Sequence, residues 1–309
     1  MDKFKVLIPL DGSAYAEHAL AFLPQMSRIG DLDLTLLSVV DTQHQRTDLK
    51  PEDDREQKLL AAYLAKVATE VVGYCLDPHR EIRRGNPAEV ITEIARRERT
   101  SLLLLSTHGR TGWNRAHRGS VADKVIRTAE CPVLAVGPRA MAPGEWKNHG
   151  VVNPIKRILI PLDGSTAAEG AISEAKRFAT ALDSELYLFR AMLMPLLNDS
   201  FAGASAYSDQ VCDGLVEAGA AYLNDVLRRH DLPSSSHTDV RIGTPSLLLE
   251  QQIKANDIDL VVMTSHGRGG VSRVALGSVT DRMIGQGPPV LIVKPNSNAN
   301  EEELSRRQS

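Results

Sequence analysis

Short apolar runs of a few residues alternate along the whole chain with longer stretches whose apolar positions recur every three or four residues. The short runs are the form taken by strands buried on both faces, and the longer ones that of amphipathic helices. In the first half this pattern predicts strands over Lys5–Pro9, Asp33–Val39, Arg80–Arg84, Ser101–Ser106 and Val133–Val136. The second half gives Arg157–Pro161, Glu185–Arg190, His237–Arg241, Asp259–Thr264 and Val290–Val293. Helices are predicted over Ala14–Ile29, over Glu56–Cys75 with Leu59, Leu60, Tyr63, Leu64 and Val67 on one face, and over Ser120–Thr128. Asn86 and Thr244, each followed by a proline, read as helix N-caps with proline at the first helical position. The last strand of each half is opened by Pro132 or Pro289, and proline can begin a strand but not sit in its middle, so both strands are expected at sheet edges. The fold class is α/β: two tandem Rossmann-like domains, each an open five-stranded parallel sheet with helices on both faces.

The tandem arrangement is written in matched landmarks. Ile8-Pro9-Leu10-Asp11-Gly12-Ser13 returns letter for letter as Ile160-Pro161-Leu162-Asp163-Gly164-Ser165, and Gly85-Asn86-Pro87 returns as Gly243-Thr244-Pro245. Ser106-Thr107-His108-Gly109, then nine residues to Gly119 and Ser120, returns as Thr264-Ser265-His266-Gly267, then nine residues to Gly277 and Ser278. A nearly constant offset of 152 to 158 residues means a duplicated domain rather than a solenoid. Domains are expected over residues 1–138 and 155–295, joined by a linker over 139–154 and followed by a disordered tail over 296–309. Two polar stretches, Thr42–Gln57 and Asn198–Ser208, read as divergent loops.

Composition narrows the functional classes. A formal net charge of −3, with charged residues of both signs, gives no electrostatic reason to expect nucleic acid. Three cysteines, widely spaced and without a CxxC pair, signal neither a disulfide framework nor a zinc site. The apolar run at the amino terminus stops at Pro9 and Asp11, short of a secretion signal, and no run approaches the roughly 20 residues of a membrane span. A soluble, cytoplasmic protein is expected.

In an open parallel sheet, ligands bind beyond the carboxyl ends of the strands. Asp11 follows the first strand and His108-Gly109 the fourth, so both belong at that edge. Gly109 lets the backbone turn sharply or approach a ligand, and Gly119 with Ser120 opens a helix whose free N–H groups and positive dipole end suit a phosphate. Arg110, Arg115, Arg118, Arg268 and Arg273 in the intervening loops make an anionic ligand credible. His108 and His266 read as loop-orienting groups, since no second ligand recurs beside them at metal spacing. A P-loop lysine, a dinucleotide Gly-x-Gly-x-x-Gly and the kinase catalytic set are all missing, so the chain holds a place for a nucleotide without an evident machine for using it.

These residues resemble a tandem universal stress protein, the likeness covering Lys3–Pro138 and Lys156–Pro295. The family's ATP-binding signature is Gly, two residues, Gly, nine residues, then Gly followed by Ser or Thr. Its last two elements stand as Gly109 with Gly119-Ser120 and Gly267 with Gly277-Ser278, while its first glycine is replaced by Ser106 and Thr264, small residues able to donate a hydrogen bond to phosphate or ribose. The resemblance implies ATP, or AMP or ADP, with magnesium as the cofactor. It places Asp11 and Asp163 by the nucleoside, Val39 and Ala191 by the base, and Leu10, Leu105, Leu162 and Met263 around the pocket. Gly109, Gly119, Ser120, Val121, Gly267, Gly277, Ser278 and Val279 would hold the phosphates. Pro9 and Pro161, Ser106 and Thr264, and His108 and His266 complete the candidate set. Pairing of the two domains along Val133–Val136 and Val290–Val293 is implied too, with a homodimer possible and the protein partner unknown. A nucleotide-dependent stress sensor is expected; an interaction protein of the same fold and a slow ATPase are the alternatives.

Overall fold

The computed structural model describes residues 3–42, 53–75, 77–108, 119–137, 154–194, 204–266, 276–284 and 287–294, with 53–54 and 204–209 described by backbone alone. Residues 139–153 of the expected linker, the carboxyl-terminal tail, Gly109, Gly267 and the five loop arginines lie outside these residues. The chain forms two compact α/β units.

In the first unit β1 (Phe4–Pro9) lies between β2 (Leu32–Asp41) and β4 (Leu102–Ser106), and β3 (His79–Gly85) flanks β2. β5 (Val133–Val136) runs parallel to β4, so these five strands form the expected parallel sheet. The unit also takes in Val290–Ile292 of β10 (Val290–Val293), paired antiparallel to β5 with Leu291 opposite Leu134. β5 thus ends the run of five parallel strands, and β10 covers its outer side. Its four residues are all buried and uncharged, a poor composition for an open edge, whereas β3 carries His79, Arg80, Glu81, Arg83 and Arg84 and has only β2 beside it among the described residues.

In the second unit β6 (Arg157–Pro161), β7 (Glu185–Met192), β8 (His237–Ile242) and β9 (Leu260–Thr264) run parallel in the order 9-6-7-8, with charged β8 outermost. Leu102, Leu103 and Leu104 in one unit and Ile158, Leu159 and Ile160 in the other are buried, each worth about 1.5–3 kcal/mol in area removed from water.

The helices depart from the periodic pattern in four places. The stretch expected as one helix over Ala14–Ile29 divides into a 3-10 helix, Ala16–Phe22, and α1 (Leu23–Ile29). Pro24 has no N–H to donate, so it is accommodated in the first turn of a new helix. α2 (Asp53–Glu70) begins inside one expected loop, and α7 (Ala204–Arg229) inside the other. α3 (Pro87–Arg97) is capped by Asn86, whose side chain accepts from Glu89 N–H at 3.2 Å, but Thr244, ahead of α8 (Pro245–Ala255), makes no side-chain cap bond. α4 (Ser120–Thr128) keeps its expected bounds, with Gly119 at the cap. α5 (Thr166–Glu169), α6 (Ile172–Leu182) and α9 (Ser278–Met283) complete the second unit.

Candidate functional site

Asp11 and Asp163 follow β1 and β6 at the carboxyl edge. Each carboxylate accepts the N–H two residues on, from Ser13 or Ser165, at 2.9 Å. This closes a turn around Gly12 and Gly164, whose φ values of 85° and 87° lie in the left-handed region that glycine enters freely. Pro9 pairs in register with Leu37 and Pro161 with Phe189, so Val39 lies level with Asp11 along the neighbouring strand, and Ala191 level with Asp163. Val39 and Ala191 are half-buried, and Leu10, Leu162, Leu105 and Met263 are buried. Leu10 N–H donates to Leu37 O and its carbonyl accepts from Ser38 Oγ, both at 2.7 Å, which fixes the backbone immediately before Asp11.

Strand β4 adjoins β1, and β9 adjoins β6, so the Ser106–His108 and Thr264–His266 turns leave the sheet beside the aspartates. Both turns close in the same way. Ser106 Oγ donates to His108 O at 3.0 Å and Thr264 Oγ1 to His266 O at 2.7 Å, while Thr107 Oγ1 and Ser265 Oγ each lie 2.9 Å from the following histidine's Nδ1. Gly119 N–H returns to Thr107 O at 3.0 Å and Gly277 N–H to Ser265 O at 2.9 Å, joining the start of the following helix to the strand end. The hydroxyl protons expected to reach a phosphate or ribose are therefore spent on the loop's own carbonyls. Ser120 and Ser278 are exposed, with Val121 and Val279 half-buried beside them. Ser120 is the first residue of α4, so its N–H and those of the next two residues are among the helix donors without an intrahelical acceptor. Among the described residues no group of three or more His, Cys, Asp or Glu side chains is placed to hold a metal ion.

The model of the universal stress protein family matches residues 4–137 and again 154–294. The chain belongs to the universal stress protein family. A universal stress protein of Mycobacterium tuberculosis is 27% identical over 292 residues, 90% of this chain and 92% of that one. One from Methanocaldococcus jannaschii is 30% identical over 143 residues, 43% of this chain and 81% of its own. A universal stress protein structure from Archaeoglobus fulgidus superposes with a TM-score of 0.69 at 19% identity, over 96% of this chain and all of that one, a likeness of fold.

The sequence pattern did not bring out a second layer of polar residues in this universal stress protein. Glu169, at the end of α5, accepts from Tyr222 Oη at 2.9 Å and from both Arg229 terminal nitrogens at 2.8 and 3.0 Å, and His230 Nε2 lies 3.2 Å away. The Arg190 guanidinium covers the Tyr222 ring at 4.2 Å. Burial, followed by Glu169, drives the Tyr222 phenol well above its ordinary range, and Asp163 adds to it. In the first unit burial, then Glu17, and then Asp11 and Glu70 do the same to Tyr63. Glu17 and Glu169 are 152 residues apart, and Tyr63 and Tyr222 159 apart, so a search for repeated polar residues at the domain offset would have found both pairs.

Burial also holds the His108 imidazole below its ordinary value near 6.5. The folded ring is therefore neutral at pH 7, and below about pH 6.5 the unfolded chain takes up the proton more readily. A modest loss of stability is expected as pH falls through that region, and an NMR titration of His108 should give a midpoint below that of a histidine peptide.

Among the described residues no helix is long and apolar enough to cross a membrane.

Proposed function

We propose that the chain is a nucleotide-responsive regulator that binds ATP, with magnesium, at the carboxyl edge of each matched domain, and that binding shifts the population of one conformation. The observation that carries this reading is the turn-and-helix closure built twice over: a histidine turn after the fourth strand of each domain, tied back to a glycine ahead of a helix. Gly119 and Gly277 leave space at that start, which suits phosphate oxygens approaching backbone N–H groups. Asp11 and Asp163, level with Val39 and Ala191, suit the ribose and base. Arg110, Arg115, Arg118, Arg268 and Arg273 would supply charge, and Gly109 and Gly267 the remaining backbone of the cradle.

A second reading, an interaction protein with vestigial sites, is favoured by Ser106 and Thr264, which stand where the family signature has glycine and whose hydroxyls are turned inward. Denaturing the purified protein and assaying adenine nucleotide in the supernatant separates the two. One to two nucleotides per chain are expected. A protein that comes free of nucleotide and shows no heat of binding with magnesium and ATP would exclude the regulator reading and leave the interaction protein.

A further inference from the structure

The cradle occurs twice in one chain on a shared frame, so each copy is a control for the other. In the first unit Leu37 pairs with Glu81, which accepts from Arg97 of α3 at 3.2 Å, and Val39, two residues on, lies on that same face. In the second, Phe189 pairs with Asp239, which accepts from Gln252 of α8, and Ala191 lies on that face. Arg190 points the other way: its register partner Val240 packs against Gly219 of α7, and its guanidinium covers Tyr222. The Arg190 charge is therefore outside the second cradle, and the two sites differ through residues on the α3 and α8 faces and at the strand ends.

Three differences lie there, and all favour the first copy. Val39 and Ala191, both half-buried, are level with the aspartates, and valine has two carbons more, each worth about fourfold in affinity when fully buried. The Ser165 hydroxyl donates to Asp163 Oδ1 at 2.6 Å, the oxygen that already takes the Ser165 N–H at 2.9 Å, so a ribose hydroxyl must share or displace it. Ser13 Oγ accepts from Ala16 N–H at 3.2 Å, as Ser165 Oγ does from Ala168 N–H at 3.1 Å, but among the described residues its proton meets no acceptor. At the phosphate end Thr280 stands where the first copy has Ala122. Its hydroxyl donates to Thr264 O at 3.1 Å and lies 3.6 Å from the place a Cβ on Gly277 would take, whereas beside Gly119 only Thr107 O comes within 4 Å. α4 also runs nine residues against six in α9, so more peptide dipoles stand behind the first copy's helix start.

We propose that the two nucleotide sites are unequal. The first domain's, at Asp11 and Val39, is the tight one; the second domain's, at Asp163 and Ala191, fills only at higher ATP, so the chain answers a rise in ATP in two steps. This rests on the nucleotide reading above and adds which copy fills first and which side chains decide it: Val39 against Ala191, Ser13 against Ser165, and Ala122 against Thr280.

The test uses the full chain, titrated with ATP and magnesium by calorimetry, beside Asp11→Ala, Asp163→Ala and a paired Ala191→Val, Thr280→Ala variant, with a thermal melt of each. Two dissociation constants about tenfold or more apart are expected, the tighter lost in Asp11→Ala and the weaker in Asp163→Ala. Valine and alanine are the first copy's own residues at the exchanged positions, so the paired variant should melt like the parent and bring the weaker site within about threefold of the tighter. Two equal sites, or a tighter site lost with Asp163→Ala instead of Asp11→Ala, would overturn the inference and leave the nucleotide reading standing. A gap untouched by the exchange, in a variant that melts like the parent, would overturn the role given to these side chains. A parent chain that binds no ATP would remove the nucleotide reading itself, and this inference with it.

Discussion

Glu169→Ala is expected to destabilise the second unit by about 2 kcal/mol, roughly 4–8 °C in melting temperature for a unit of this size. The carboxylate is 11% exposed and holds the ends of three side chains that come from α7 and the residue after it, 53 to 61 positions away. Removing it leaves the Tyr222 hydroxyl and the Arg229 guanidinium without that acceptor in a partly buried place. Arg229 keeps 46% exposure and can turn to water, so the loss stays below the 3–5 kcal/mol of a fully buried pair. Glutamine at 169 preserves an acceptor for Tyr222 without the charge and should cost about half as much. Denaturant melts of the three proteins decide the matter, and an alanine variant as stable as the parent would show the network to be ornamental.

The same carboxylate sets an acid limit. Burial pushes Glu169 upward, but hydrogen bonds from Arg229, His230 and Tyr222 outweigh it and hold the group below its ordinary value of 4.5. A carboxylate with a depressed folded value stabilises the fold at pH above its unfolded value. That contribution drains away as pH falls below about 4.5 and through the folded value. The difference in stability between parent and Glu169→Ala should therefore shrink in acid.

Alanine at both Gly119 and Gly277 is expected to weaken binding of ATP with magnesium about 100-fold, equivalent to about 2.7 kcal/mol, while costing the fold no more than about 1 kcal/mol. Gly119 has φ of −58° and ψ of 140°, open to any residue, and a Cβ there would meet nothing nearer than Thr107 O at 3.6 Å. At Gly277 the nearest atom would be Ser265 O at 3.5 Å. Neither glycine is demanded by the backbone, so the methyl group costs binding only if a ligand comes close to that surface. Calorimetric titration beside a thermal melt separates the two effects. Full affinity in the double alanine variant would remove these glycines from the cradle.

The strands were legible where chemistry brackets them. Val133–Val136 and Val290–Val293, each introduced by a proline, and Arg157–Pro161, closed by one, have the bounds expected of them. Ala14–Ile29 was harder, because its apolar periodicity runs straight through Pro24 and periodicity does not report where a proline must restart a helix. The opening prolines marked strands that end a run, as β5 does, while the charges on β3 and β8 marked the strands with a single neighbour among the described residues. At the site, the Asp11 and Asp163 turns and the histidine loops were legible from repetition alone. The Glu169 network was not, since its partners lie beyond a segment that differs between the halves. The inward commitment of Ser106 and Thr264 depends on a hydroxyl rotamer that composition cannot specify.

The charge on β3 and β8 also bears on how the protein withstands crowding. Among the described residues each outer strand has backbone donors and acceptors left unpaired on one side, and its charged side chains, three arginines and a glutamate on β3, an aspartate and an arginine on β8, make the approach of a second molecule electrostatically and sterically expensive. At about 0.1 M salt that expense acts over about 10 Å, whereas at about 1 M salt it is confined to about 3 Å. Concentrated stocks are therefore better kept at modest ionic strength, and turbidity that rises with added salt would identify these strands as the places where copies first adhere.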